Sequence, residues 1–129
     1  MSPAAQALPD FESPDLAAIV EALPPEVIDS LPFGAIRIGP DGRVQYYSQA
    51  ERRLSGYAKE AVGLDFYASI APCMNNAAFL SRIEAAAKAG QLDIEFGHVG
   101  DFSDRERQLR IRIVSASGGG YWQFHARED

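Results

Sequence analysis

The chain of 129 residues contains one cysteine, Cys73, and two histidines, His98 and His125. A lone cysteine closes no internal disulfide and builds no metal site by itself. No run of about 18 apolar residues is present, so the sequence offers no membrane-spanning helix. The opening MSPAAQALPDFESPD lacks a basic stretch followed by an apolar one, so no secretory signal is expected. With the single cysteine, this predicts a reducing, cytoplasmic setting. A basic excess is also lacking. The formal net charge is −6 and the pI about 4.8, which argues against phosphate-neutralising contact with nucleic acid. The runs ERR and RERQLRIR are local and mixed in sign, and read as solvated surface. There is no GxGxxG, no phosphate loop of the Walker kind, no HExxH and no CxxC. SGGGY joins two strands, so its glycines suit a hairpin tip and not a phosphate cradle. An enzyme has little to work with here.

What is present is enough apolar material for one core: 47% of residues are hydrophobic and 23% charged. SPDLAAIVEAL predicts a short helix, with Ser13 as cap, Pro14 in the first turn, and Leu16, Ile19, Val20 and Leu23 on one face. PPEVIDSLP restarts a second one. Residues 1–32 thus form a helical cap, and residues 33–129 a second unit. FGAIRIGPDGRVQYY alternates apolar and polar residues around PDG, the pattern of a β-hairpin. SQAERRLSGY is a short helix stopped at Gly56, and AKEAVGLDFYASIAP holds further turns. NNAAFLSRIEAAAKAGQ is the strongest helix, capped by Asn75 or Asn76 and ended at Gly90. LDIEFGHV, RQLRIRIVSA and YWQFHAR alternate as strands, with Leu109, Ile111 and Ile113 on one face. The order predicts an α+β domain with an antiparallel sheet. The middle helices pack on one face, the cap covers the other, and a pocket lies between sheet and short helices.

Cys73 falls in the segment that would line that pocket. Three readings are open to it: a small buried hydrophobe, a nucleophile activated by a helix N-terminus, or a covalent anchor for a small molecule. Neither histidine belongs to a cysteine-enzyme signature, and a haem reading rests on those two residues alone. Tyr46 ends the second strand and Glu51 begins the next helix. Aimed into a pocket, the pair could hydrogen-bond a phenolic oxygen; otherwise they are a core tyrosine and a surface glutamate.

LPFGAIRIGPDGRVQYYSQAE, EAVGLDFYASIAPC, FLSRIEAAAKAGQLDIEF and YWQFHAR resemble, in order and spacing, the photoactive yellow protein family, a branch of the PAS domains. The resemblance runs from about Leu31 to Arg127. It implies a PAS fold: a five-stranded antiparallel sheet, flanking short helices and an N-terminal helical cap. It implies that Cys73 of the APC triplet carries 4-hydroxycinnamic acid (p-coumaric acid) as a thioester, and that Tyr46 binds the chromophore's phenolate. In the family a glutamate stands four residues after that tyrosine, a threonine eight and an arginine ten. Counted from Tyr46 these positions hold Ala50, Leu54 and Gly56, and Glu51 comes one residue late. The function so implied is light sensing by a cytoplasmic, non-enzymatic photoreceptor whose cap loosens on illumination. Its partners would be the chromophore and a downstream signalling protein or a second copy of the chain, with neither nucleic acid nor membrane. The alternative is a PAS ligand-binding or dimerisation module without a covalent chromophore.

Overall fold

The computed structural model describes residues 9–57, 59–71, 74, 77–88, 92–100 and 106–127. Two short helices, α1 (Leu16–Glu21) and α2 (Pro25–Ile28), precede the hairpin of β1 (Gly34–Ile38) and β2 (Val44–Tyr47). Then come α3 (Gln49–Ser55), a π-helical turn at Phe66–Ile70, α4 (Ala77–Lys88), and the strands β3 (Asp93–Val99), β4 (Gln108–Ser115) and β5 (Tyr121–Arg127). The strands form one antiparallel sheet in the order β2-β1-β5-β4-β3. The last strand in sequence therefore lies at the centre, beside the first. The expected cap residues Asn75, Asn76 and Gly90 lie outside the described residues. Gly56 closes α3 as expected, in the left-handed conformation at φ 84° that a side chain resists.

The sheet separates two apolar clusters. Ile36, Ile38, Ile111 and Ile113 face the middle helices, where Phe66, Tyr67, Phe79 and Ile83 pack against them. Ala35, Trp122 and Phe124 face the cap and meet Phe11, Leu16, Val20, Ile28 and Leu31. Trp122 and Phe124 stack with their planes parallel, two residues apart on one side of β5. The cap thus covers the far face of the sheet. Ile19, expected on the packed stripe, is exposed instead. The helix begins two residues after its expected start: Asp15, at φ 56°, precedes it, and Ser13 accepts a hydrogen bond from the Asp10 N–H instead of capping.

Polar side chains fasten the cap. Glu21 accepts from the Trp122 indole N–H at 2.8 Å and from the Ser117 N–H at 3.0 Å. Burial works against the Glu21 charge, but these donors and Arg37 more than offset it, and its pKa is lowered. Arg112, buried and paired with Asp93, donates to the carbonyls of Phe11 and Ser13. Proline-broken helices of six and four residues have little stability of their own, so these ties and the aromatic face hold them.

The hairpin contains the feature that decides which tyrosine faces the helices. Arg37 pairs with Tyr46, but Ile38 pairs with Val44, so Gln45 is an extra residue on β2. That bulge breaks the alternation. Without it, Val44 and Tyr46 would share a face. With it, Val44 and Tyr47 lie on the helix side, and Tyr46 turns toward the cap.

Candidate functional site

The site is built around the start of α3. Ser48 caps that helix, its Oγ accepting from the Glu51 N–H at 3.0 Å. The same oxygen accepts from the Ala35 N–H at 3.1 Å, and the Ser48 N–H donates to the Ala35 carbonyl at 3.0 Å. The helix start is thereby pinned to β1. S-x-x-E is the sequence of a capping box, in which the glutamate would reach back to the serine N–H. Here that N–H is already taken, and Glu51 turns inward over Gly34. A β-carbon at Gly34 would stand 1.7 Å from Glu51 Oε1, so the glycine makes the space that the carboxylate fills.

Glu51 is 2% exposed and held by two side chains of β5. Arg127 donates to both carboxylate oxygens, from Nη1 to Oε1 and from Nη2 to Oε2, each at 2.8 Å. His125 Nδ1 lies 3.2 Å from Oε2. Burial would push the carboxyl up, but His125 and Arg127 together outweigh it and hold Glu51 down, at about 2.

The polar contacts continue along the inner face of β5. His125 Nε2 is 2.8 Å from Gln123 Nε2. Gln123 Oε1 accepts from the Tyr67 hydroxyl at 3.3 Å, and Tyr67 also hydrogen-bonds Tyr121. Burial first, and then its partner Tyr121, raise the pKa of Tyr67, so the phenol stays protonated. Gln123 Nε2 also lies 3.4 Å from the sulfur of Met74. This contact sets Met74 against β5. Cys73, next to Met74, lies outside the described residues.

Tyr47 occupies the same side of the sheet. Its hydroxyl is 3.3 Å from Ser55 Oγ, which itself accepts from the Tyr57 N–H at 3.0 Å. Burial, then the Glu51 charge, raise the Tyr47 pKa. Tyr46 is elsewhere. Its ring lies against Trp122, and its hydroxyl donates to Asp29 Oδ1 at 2.5 Å. Burial and the Asp29 carboxylate raise its pKa as well. Tyr46 lines a cleft of about 290 Å³ on the cap side, with Glu21, Pro25, Ile28, Arg37, Gln45 and Trp122. Of the three residues singled out from the sequence, Glu51 faces the helix side and Tyr46 does not; Tyr47 lies on that side instead, where the Glu51 charge acts on it. Ala50 is buried at the N-terminal end of α3, and Ser55 instead of Leu54 meets the tyrosine. The sequence reading also passed over Gln123 and Arg127. Their signal was the spacing Gln-x-His-x-Arg in YWQFHAR, which places three polar groups on one face of a strand.

Known proteins share this arrangement of sheet and helices. A family model described as the PAS fold matches residues 28–126. Photoactive yellow protein of Rhodothalassium salexigens is 31% identical over 102 residues, spanning 78% of this chain and 82% of that one. The chain belongs to the photoactive yellow protein family. The photoactive yellow protein of Rhodobacter capsulatus is 30% identical over 105 residues, 80% of this chain and 85% of that protein. The crystal structure of the photoactive yellow protein domain from the sensor histidine kinase Ppr of Rhodospirillum centenum superposes with a TM-score of 0.75 at 32% identity. The match covers 84% of this chain and 97% of that domain. A PAS domain from Colwellia psychrerythraea, at 14% identity and a TM-score of 0.62, shares the fold. The photoactive yellow protein family is thus the frame for this chain: a sensory PAS domain of the photoreceptor kind. Among its described residues no helix is long and apolar enough to cross a membrane.

Proposed function

We propose that the protein is a light sensor carrying 4-hydroxycinnamic acid as a thioester on Cys73, with the phenolic end of the chromophore at Tyr47 and Glu51. The observation that carries this reading is the placement of Tyr47, Glu51 and Ser55 on the helix side of the sheet. Glu51 and Ser55 stand four and eight residues after Tyr47. These are the family's intervals, with serine for threonine, once counting starts from the tyrosine the bulge turns inward. The third interval ends at Tyr57, not at an arginine.

The residues fit a phenolic ligand. Tyr47 can donate its hydroxyl hydrogen to a phenolic oxygen. Ser55, already accepting from the Tyr57 N–H, has its own hydrogen free to orient Tyr47. Glu51 supplies an acceptor beside them. When bound, the chromophore supplies light absorption and a double bond that can isomerise. The chain supplies the coupling. β5 carries Gln123, His125 and Arg127 on the pocket side and Trp122 and Phe124 on the cap side. A change in the bonds to Glu51 therefore shifts the strand on which the cap rests. The cap, residues 1–32, is the segment whose release would expose Trp122 and Phe124 to a signalling partner or a second copy of the chain. Such a sensor has no catalytic step of its own.

The test is reconstitution. Incubate the apoprotein with activated 4-hydroxycinnamic acid and measure intact mass and absorbance, in parallel with Cys73→Ala. The expected result is one adduct in the native protein and none in the variant. No adduct, or one that survives Cys73→Ala, overturns the reading.

A further inference from the structure

The sheet has two outer edges, and they differ. β2, at one edge, is four residues long and bulged at Gln45. The chain at 63–66 lies along its end: the Val44 N–H donates to the Leu64 carbonyl, the Gly63 N–H to the Val44 carbonyl, and the Phe66 N–H to the Gly42 carbonyl. Short length, a bulge and a covering segment are means by which a sheet edge is kept from pairing with another chain. β3, at the other edge, runs for seven residues, DIEFGHV, without proline or lysine. Its register with β4 is unshifted from Asp93 to Val99. Among the described residues no strand pairs with its outer side.

The direction of its backbone groups follows from the ladder. Just beyond the ends of β3, the Ser115 N–H donates to the Leu92 carbonyl and the Gly100 N–H to the Arg107 carbonyl. Bonded residues alternate in an antiparallel pair, so Ile94, Phe96 and His98 bond β4. Asp93, Glu95, Gly97 and Val99 turn their N–H and C=O groups outward. The two acids among them are matched within the chain, Asp93 by Arg112 and Glu95 by Arg110, whose Nε is 2.8 Å from Glu95 Oε2. Val99 is 64% exposed. Gly97 carries no side chain, and a glycine inside a strand often marks a place where another backbone comes close.

We propose that β3 pairs antiparallel with β3 of a second copy of the chain, about a two-fold axis at Phe96, joining the two sheets into one. In this register the outward residues bond one another, Asp93 with Val99 of the second copy and Glu95 with its Gly97. Residues directly opposite share a face, so Glu95 meets a glycine and not another acid. Within one chain Arg110 stands opposite Gly97. With strands about 4.8 Å apart, Glu95 of each copy reaches across the bare glycine toward Arg110 of the other. A shift of two residues one way sets Glu95 against Glu95, a like-charge pair; a shift the other way drops Asp93 and Ile94 from the pairing. On the helix side the two Phe96 rings meet at the axis in a non-hydrogen-bonded pair, where side chains are closest. Each is already positioned by Arg82, 4.6 Å over its ring, and by Phe79, edge-on with centroids 5.0 Å apart. This surface is separate from Trp122 and Phe124 under the cap and needs no chromophore, so it goes beyond the light-sensing reading.

The test uses the full chain. Sedimentation equilibrium at concentrations up to about 1 mM should show a monomer–dimer equilibrium in the micromolar-to-millimolar range, the strength of a small interface. Gly97→Glu is the decisive variant. A β-carbon there meets only the Leu109 carbonyl, at 3.9 Å, so the monomer accommodates it, while the dimer gains a carboxylate opposite Glu95 on each side of the axis. The dissociation constant should rise roughly tenfold. Gly97→Lys adds similar bulk with the opposite charge and should dimerise at least as well as the native chain. Amide exchange followed by NMR gives the residue-level readout. As concentration rises, exchange should slow at Glu95, Gly97 and Val99 and stay unchanged at Ile94, Phe96 and His98. A chain that stays monomeric, a dimer that Gly97→Glu leaves intact, or slowing confined to other surfaces overturns the proposal. Equal weakening by Gly97→Glu and Gly97→Lys overturns the register.

Discussion

Replacing Arg127 with methionine removes the guanidinium fork and leaves Glu51 in a site with about 3% side-chain exposure and His125 as its remaining partner. The cost can be worked from the carboxyl itself. Folding moves Glu51 from an ordinary 4.5 to about 2. At about 1.4 kcal/mol per pH unit, that shift corresponds to about 3 kcal/mol of stability, drawn from Arg127 and His125 together. The pKa is depressed on folding, so this stability is present above pH 4.5 and is lost as pH falls through the folded value near 2. Breaking a buried pair from one side also leaves an uncompensated charge, for which about 3–5 kcal/mol is typical. Arg127→Met should therefore cost about 3 kcal/mol at pH 7 and much less near pH 3. Urea unfolding is the assay. With a slope of about 1–3 kcal/mol per molar, the midpoint should fall by roughly 1–3 M. The double variant Glu51→Leu with Arg127→Met should recover more than half of the loss, because no charge is left buried. A single-variant cost below about 1 kcal/mol, or one that is equal at pH 3 and pH 7, refutes the claim that Arg127 holds an ionised Glu51.

Glu21→Gln weakens the tie from α1 to Trp122 and Ser117; it should lower stability by about 1 kcal/mol and raise amide exchange in residues 9–31 more than in β4, read by hydrogen exchange. Equal protection in both regions would remove Glu21 from the cap's attachment. Gly34→Ala drives a methyl group into Glu51 Oε1 and should cost about 2 kcal/mol or more in thermal unfolding, while Glu51→Ala in the same background should relieve part of it.

Much of the fold was legible because each strand carries its own evidence. Leu109, Ile111 and Ile113 alternate with polar residues, and β4 buries all three against the middle helices. Glycines mark the ends of β1, α3 and β4 where the backbone needs a positive φ, at Gly42, Gly56 and Gly118. Which of the two adjacent tyrosines faces the middle helices was not legible. Two adjacent tyrosines end β2, and a strand's two faces alternate, so a one-residue error exchanges pocket for cap. Tyr47 and not Tyr46 faces the helices because of the bulge at Gln45, which is a property of the pairing with β1 and leaves no local mark in RVQYY. Choosing Tyr46 then made every later interval fall one short, at Ala50, Leu54 and Gly56. The Glu51–Arg127 pair was hidden for a different reason. Its members are 76 residues apart, and only the meeting of β5 with β1 joins them.

The most direct measurement compares the absorption and phenol pKa of the 4-hydroxycinnamoyl adducts of Tyr47→Phe and Tyr46→Phe with those of the native adduct. Tyr47→Phe removes the hydroxyl that bonds Ser55 and that the proposed reading sets at the ligand's phenolic oxygen, so its band and phenol pKa should move, the latter by about one unit or more. Tyr46→Phe removes a bond to Asp29 on the opposite face, so its spectrum should match that of the native adduct while the cap loosens. A spectrum that responds to Tyr46→Phe and ignores Tyr47→Phe would contradict the account.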